Sequence, residues 1–160
     1  MSERFAGKVA IVSGASRGIG RMLCTELVRE GARVAGFARH ADRLAELQRD
    51  LGDAFLPVTA DIAIEPQVET AVQRTLAHFG TIDVLVNNAG TSGVQKFARD
   101  MAPEEFTSVI DVNLNGPFYL IHHAVGTMME KRSGAIVNIS SLTGKRPQPK
   151  RLGYAASKMG

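Results

Sequence analysis

Cysteine is nearly absent: Cys24 stands alone among 160 residues. One thiol closes no internal disulfide, so a disulfide-stapled secreted scaffold is excluded and a cytoplasmic, reducing setting is expected. Cys24 itself reads as filler on a helix. Tryptophan is missing, and seven phenylalanines and two tyrosines make up all the aromatics. No basic stretch is interleaved with aromatics and no zinc-finger or RNA-binding signature appears, which argues against nucleic acid as a partner. Neither sign of charge dominates, with 19 Lys and Arg against 16 Asp and Glu for a net +3. No apolar run reaches the ~18 residues that would suggest a membrane span. The opening "MSERFAGKVA" lacks the apolar core of a signal peptide. Of the four histidines, His122 and His123 are neighbours and face different sides of a helix. His40 and His78 have no ligand cluster beside them, so no metal site is expected.

What remains is an ordinary globular composition, 44% apolar and 22% charged. The length suits a single domain, residues 1–160, able to bury roughly 70% of its unfolded surface. Short apolar runs alternate with longer amphipathic segments. Strands are expected at 8–13 ("KVAIVS"), 33–38, 54–60, 82–87 and 135–140. Helices are expected at 18–31, 41–52 and 65–80, the last with Pro66 in its first turn. Residues 102–134 read as one long helix or two in series, with a bend at Gly116-Pro117 because proline removes a helical hydrogen bond. Residues 141–153 read as loop, and Tyr154 opens a final helix. The strand runs are continuously apolar, as a sheet covered on both faces requires. Strand–helix repetition implies right-handed crossovers and a parallel sheet.

The first strand meets the first helix at "SGASRGIG", with Gly14, Gly18 and Gly20. This spacing is neither G-x-G-x-x-G nor a P-loop. Its mechanics are nonetheless those of a dinucleotide site: glycines allow a tight turn and close approach of backbone N–H groups to a pyrophosphate, at a helix N-terminus. A purely structural βα turn is the competing reading. At the end of the second strand, where an acid would bind ribose hydroxyls, stands Ala38, followed by Arg39 and His40. With Arg17 in the glycine turn, two arginines and no carboxylate favour NADP(H) over NAD(H). Tyr154 and Lys158 lie about one helical turn apart, on one face, where an ammonium favours the phenolate. That pair alone occurs too easily by chance to decide anything.

Five stretches decide it together. "SGASRGIG", "NNAG" (87–90), "DVNLNGPF" (111–118), "IVNISS" (136–141) and "YAASK" (154–158) stand in the order and spacing of the short-chain dehydrogenase/reductase family. The resemblance spans essentially the whole chain and includes 3-oxoacyl-[acyl-carrier-protein] reductase-like members. It implies a Rossmann-like, doubly wound parallel sheet in strand order 3-2-1-4-5, without the family's later strands. It implies Tyr154 as general acid/base and Lys158 as its charge partner and holder of the nicotinamide ribose. Ser141, thirteen residues before Tyr154, would bind the substrate carbonyl; Ser140 fits that spacing less well. Asn113 would hold a water of the proton relay. Gly14, Ser16, Arg17, Gly18, Ile19, Gly20, Arg39, Asp61, Ile62, Asn87, Ala89 and Gly90, with Tyr154 and Lys158, would bind the cofactor.

The implied activity is hydride transfer between NADP(H) and a carbonyl or secondary alcohol. The substrate would be a small-molecule carbonyl or an acyl thioester, 3-oxoacyl groups among the candidates. The basic run "GKRPQPKR" (144–151) is either a solvated loop or a rim that attracts an acidic carrier protein. Relatives imply a homo-oligomer for a full-length protein. Family members continue beyond the catalytic helix, so the chain is expected to be C-terminally incomplete and its fifth strand to be an exposed edge. Two readings compete with the reductase: a nucleotide-binding module without catalytic activity, and a sugar-nucleotide epimerase or dehydratase, which also uses Tyr-x-x-x-Lys.

Overall fold

The computed structural model describes residues 3–160. The apolar runs become strands β1 (Val9–Ser13), β2 (Arg33–Ala38), β3 (Phe55–Thr59), β4 (Val84–Asn87) and β5 (Ala135–Asn138). They pair in parallel in the order β3-β2-β1-β4-β5. The helices are α1 (Gly18–Arg29), α2 (Ala41–Leu51), α3 (Glu65–Phe79), α4 (Pro103–Ile110), α5 (Gly116–Glu130) and α6 (Leu152–Met159). Successive side chains of a strand point to opposite faces, so β1 feeds two cores. Val9 and Ile11 pack with Val68, Val72, Leu120 and Ala124 of α3 and α5. Ala10 and Val12 pack with Cys24, Leu27, Leu44 and Leu47 of α1 and α2. Cys24 is fully buried there, and burial pushes its thiol up to about 12, well away from reactivity.

The sheet is doubly wound about β1. Strands β2 and β3 step outward on one side, α3 carries the chain back across, and β4 and β5 step outward on the other. The crevice beyond the carboxyl ends of β1 and β4 is therefore the topological switch point, where ligands of such sheets bind. Strand β5 lies at an edge with all four residues exposed, the exposed edge expected for it. Among the described residues no helix is long and apolar enough to cross a membrane.

The segment expected to bend at Gly116-Pro117 instead stays helical throughout. Ile110, Asp111, Asn115 and Gly116 all keep right-handed helical angles. The adjustment is a π-helical turn, Asp111–Asn115, in which the Gly116 N–H bonds to the Asp111 carbonyl five residues back. The physical reason is one residue further on. In an α-helix the N–H of residue 117 would serve the carbonyl of residue 113, and Pro117 has no N–H. The helix widens rather than kinks, and the widened turn carries Asn113. Helix α6 also begins two residues earlier than expected, at Leu152, after a short 3-10 turn at Leu142–Gly144.

A polar pin fixes the far end of α5. Lys131, its C-cap, donates to Thr81 Oγ1 (2.8 Å), the Ile82 carbonyl (2.7 Å) and Asp83 Oδ1 (2.6 Å), while Asp83 Oδ2 accepts from the Val9 N–H (2.9 Å). Burial works to raise the Asp83 carboxyl, but the Lys131 and Val9 hydrogen bonds outweigh it and hold the group below its ordinary value. A carboxyl lowered on folding contributes stability above its unfolded value of about 4 and loses it as pH falls through the folded value. Asp83→Asn should therefore cost about 2 kcal/mol at neutral pH and remove part of the destabilisation seen below about pH 4. Urea titrations of both forms at pH 7 and pH 3 check this. Equal losses at both pH values would mean that the carboxylate charge contributes nothing.

Candidate active site

The glycine turn is built by contacts from three strands. Gly14 N and Ala15 N donate to the Phe37 carbonyl at the end of β2 (2.8 and 3.1 Å). Ser13, the last residue of β1, is buried, and its Oγ accepts from Asn88 N and Ala89 N (both 3.0 Å). Asn88 Nδ2 returns to the Ser13 carbonyl (2.9 Å). Gly14 sits at φ +71°, and a Cβ there would lie 2.9 Å from Ala89 Cα and from Asn88 Nδ2. The turn and the start of "NNAG" thus touch backbone to backbone, which only glycine permits. Arg17, extended at φ −162°, is the N-cap of α1, and no side chain caps that helix. Its first-turn N–H groups therefore keep their capacity for an anion.

A cleft of about 560 Å³ opens over this turn, within the range of small-ligand sites. Gly14, Ser16, Arg17, Gly18 and Ile19 form its floor, Arg39, Asp61 and Ile62 one wall, and Ala89 and Gly90 the other. Two further cofactor candidates stand behind the surface. Gly20 lets α1 seat on the turn, since a Cβ would lie 2.2 Å from the Gly14 carbonyl oxygen. Asn87 is buried in the sheet and donates to Asn138 Oδ1 (2.8 Å), its own Oδ1 unpartnered among the described residues. Residues not anticipated from sequence also line the cleft, notably Asn88, Thr91, Ser108 and His40. Arg39 is largely exposed, its guanidinium 3.7 Å from Asp61 across the ends of β2 and β3.

Gly90 lies on the cleft wall. A Cβ there would meet Asn113 Oδ1 at 3.3 Å and Lys158 Nζ at 3.7 Å, so the π-turn and α6 converge on that wall of the cleft. Asn113 is buried; its Oδ1 accepts from Thr91 N (2.8 Å), and its Nδ2 donates to the Thr91 carbonyl and to Ser157 Oγ (both 2.9 Å). Lys158 Nζ donates to the Ile139 carbonyl just past β5 (2.7 Å), using one of its three hydrogens.

The two serines after β5 differ in their bonding. Ser140 Oγ donates to the Lys158 carbonyl (3.1 Å) and is committed to holding α6. Ser141 Oγ accepts from Thr143 N (3.2 Å), capping the 3-10 turn, which leaves its own hydrogen to donate. Tyr154 lies in the first turn of α6, half-buried, its carbonyl accepting from Ser157 Oγ (2.9 Å). The basic run is fastened to the loop after β4. Lys96 N bonds to the Lys150 carbonyl (3.1 Å), and the Lys150 ammonium stands 4.9 Å from the centre of the Phe97 ring.

This arrangement has close counterparts. Residues 8–160 match the model of the short chain dehydrogenase family. The 3-oxoacyl-[acyl-carrier-protein] reductase FabG of Staphylococcus aureus is 38% identical over 157 residues, covering 96% of this chain and 63% of the relative. The 2-dehydro-3-deoxy-L-rhamnonate dehydrogenase (NAD(+)) of a Sphingomonas species is 36% identical, covering 98% of this chain and 63% of that protein. The crystal structure of a metagenomic short-chain oxidoreductase in complex with NADP superposes with a TM-score of 0.93 at 36% identity, covering 98% of this chain and 72% of that one. The chain thus spans about 63% of the length of these curated relatives. With the family's model matched from the first strand to Gly160 and its fold reproduced, the chain belongs to the short-chain dehydrogenase/reductase family of oxidoreductases.

Proposed function

We propose that the protein is an NADP(H)-dependent carbonyl reductase or alcohol dehydrogenase whose proton chemistry is run by Tyr154, Ser141, Lys158 and Asn113. The observation that carries this reading is the meeting at Gly90, where the cleft's wall reaches both Asn113 and Lys158. The residues present suit a dinucleotide: a glycine cradle with no room for a Cβ at Gly14, an uncapped helix N-terminus, and a cleft of fitting volume. Gly14, Ser16, Gly18 and Ile19 would hold the pyrophosphate, Asp61 and Ile62 the adenine, Ala89 and Gly90 the adenosine side, and Lys158 the nicotinamide ribose. When bound, the cofactor supplies or takes up the hydride. The chain supplies everything else. Ser141 donates its free hydrogen to the substrate oxygen and fixes the carbonyl's direction. The Tyr154 hydroxyl delivers the proton that neutralises charge growing on that oxygen, and takes it back in the reverse reaction. Lys158, one turn along the same helix face, stabilises the phenolate left behind. Absorbance assays of the full-length protein with NADPH and a panel of ketones, alongside the Tyr154→Phe variant, test the reading. Absence of turnover on every ketone would leave only a nucleotide-binding module.

For the cofactor's 2′-phosphate, Arg17 and Arg39 are the proposed partners, since both line the cleft and Ala38 offers no carboxylate to a ribose. Arg39→Ala should weaken NADPH binding about ten- to a hundredfold, the cost of losing a charge-assisted hydrogen bond, and leave NADH within about threefold. Fluorescence titration with both nucleotides measures this. An equal fall for both would mean that Arg39 does not clamp the 2′-phosphate. For the substrate, we place a 3-oxoacyl thioester first. The rim beside Tyr154 carries Lys145, Arg146, Lys150 and Arg151, a charge suited to an acidic carrier protein. The exposed Phe118 and Met129 of α5 suit a homo-oligomer of the full-length protein.

A further inference from the structure

Asn113 reaches the cofactor wall from the only π-helical turn among the described residues, and something must hold it there. Both of its amide hydrogens are spent, on the Thr91 carbonyl and on Ser157 Oγ, and its oxygen takes the Thr91 N–H. Thr91 belongs to the loop after β4, so two of the three bonds tie Asn113 to that loop. The third alone ties it to α6. Ser157 is 3% exposed and sits between Tyr154 and Lys158. Its hydroxyl accepts from Asn113 Nδ2 (2.9 Å) and donates to the Tyr154 carbonyl (2.9 Å). One buried oxygen therefore joins the π-turn to the helix that carries the proton donor and the ammonium. A hydroxyl is required for this, because the same atom must accept on one side and donate on the other. Alanine could do neither, and would leave a buried amide hydrogen without a partner.

The geometry points to Ser157 as a positioning residue for the reaction proposed above: it sets Asn113 against Tyr154 and Lys158 without touching substrate or cofactor. This rests on the reductase reading for its kinetic consequence but not for its structural one. With both amide hydrogens committed, Asn113 has no side-chain hydrogen left for a relay water. Its Oδ1 keeps one acceptor position beyond the Thr91 N–H, and Ser157 acts by fixing where that oxygen points.

The test uses the full-length protein. Ser157→Ala should lower kcat about ten- to a hundredfold, the effect of a buried partner lost at a positioned group, with the NADPH dissociation constant within about threefold. Asn113→Ala combined with Ser157→Ala should lose no more than Asn113→Ala alone, since a residue acting through another is not additive with it. Ser157→Thr, which keeps the hydroxyl, should recover most of the rate. Independently of turnover, amide hydrogen exchange of the Thr91 N–H should quicken at least about tenfold in Ser157→Ala, while that of Val12 in the central strand stays unchanged. Wild-type exchange at Thr91 in Ser157→Ala overturns the inference, as do losses that add in the double variant or a loss confined to NADPH affinity. The Tyr154→Phe variant separates the two claims. If it turns over normally the reductase mechanism fails, and the exchange result still decides the role of Ser157. If it is inactive while Ser157→Ala is fully active, only the role of Ser157 fails.

Discussion

Tyr154→Phe, made in the full-length protein, should reduce kcat/KM for ketone reduction by about three orders of magnitude and leave NADPH affinity within about threefold. The size follows from what positioned proton transfer contributes, roughly 10²- to 10⁴-fold. The oxygen of a carbonyl under hydride attack becomes an alkoxide unless a proton arrives, and water entering from solvent is a poor, unpositioned substitute. Binding should survive because the helix that carries the ring is anchored without it. The Tyr154 carbonyl is held by Ser157 Oγ, and α6 is tied to the end of β5 by Lys158 Nζ and Ser140 Oγ. None of these bonds uses the phenolic oxygen. Steady-state absorbance and a fluorescence titration give the two readings. Turnover within tenfold of wild type would take the tyrosine out of the chemistry. A matching collapse of NADPH affinity would show that the ring shapes the cleft instead.

The sheet was legible because burial on both faces leaves few sequence solutions. Continuous apolar runs such as "VAIVS" separated by amphipathic helices admit little but a parallel, doubly wound arrangement. Strand order followed from the family resemblance and agrees with the observed β3-β2-β1-β4-β5. The glycine turn was legible for a similar reason, since only glycine tolerates the contact that Gly14 makes. What sequence could not supply was partner geometry. Asn87 and Asn88 are adjacent amides, and which of them faces the cleft depends on where β4 ends. Asn87 is its last residue and pairs in register with Asn138, whereas Asn88 is past the ladder and turns toward Ser13. Ser140 and Ser141 differ in the same way, one bound to α6 and one capping a turn. The π-turn departs from the expected bend because the residues before Pro117 keep helical angles and the ladder widens to a bond five residues back. Ser157 carries no signal of its own inside "YAASK", where a small residue passes for spacing.

Gly14→Ala should abolish measurable cofactor binding, with at least about a hundredfold loss of NADPH affinity, from the addition of one methyl group. Two costs are superposed and can be separated. At φ +71° any L-residue is strained, by roughly 1–2 kcal/mol. The second cost is contact: the new Cβ would stand 2.9 Å from Ala89 Cα, a backbone atom that has no rotamer to escape into. Ala89 and its neighbour Asn88 are themselves cleft wall, held by hydrogen bonds to Ser13. Relief requires the β4 end and the glycine turn to move apart, and this widens the space that must grip a pyrophosphate. Gly80→Ala is the control. Gly80 caps α3 at φ +81°, with nothing within 4 Å of its added Cβ. It therefore carries the strain without the clash, far from the cleft, and should lose about 1 kcal/mol of stability with unchanged affinity. If NADPH titrations show Gly14→Ala and Gly80→Ala binding alike, the backbone contact between the two loops is not what shapes the site.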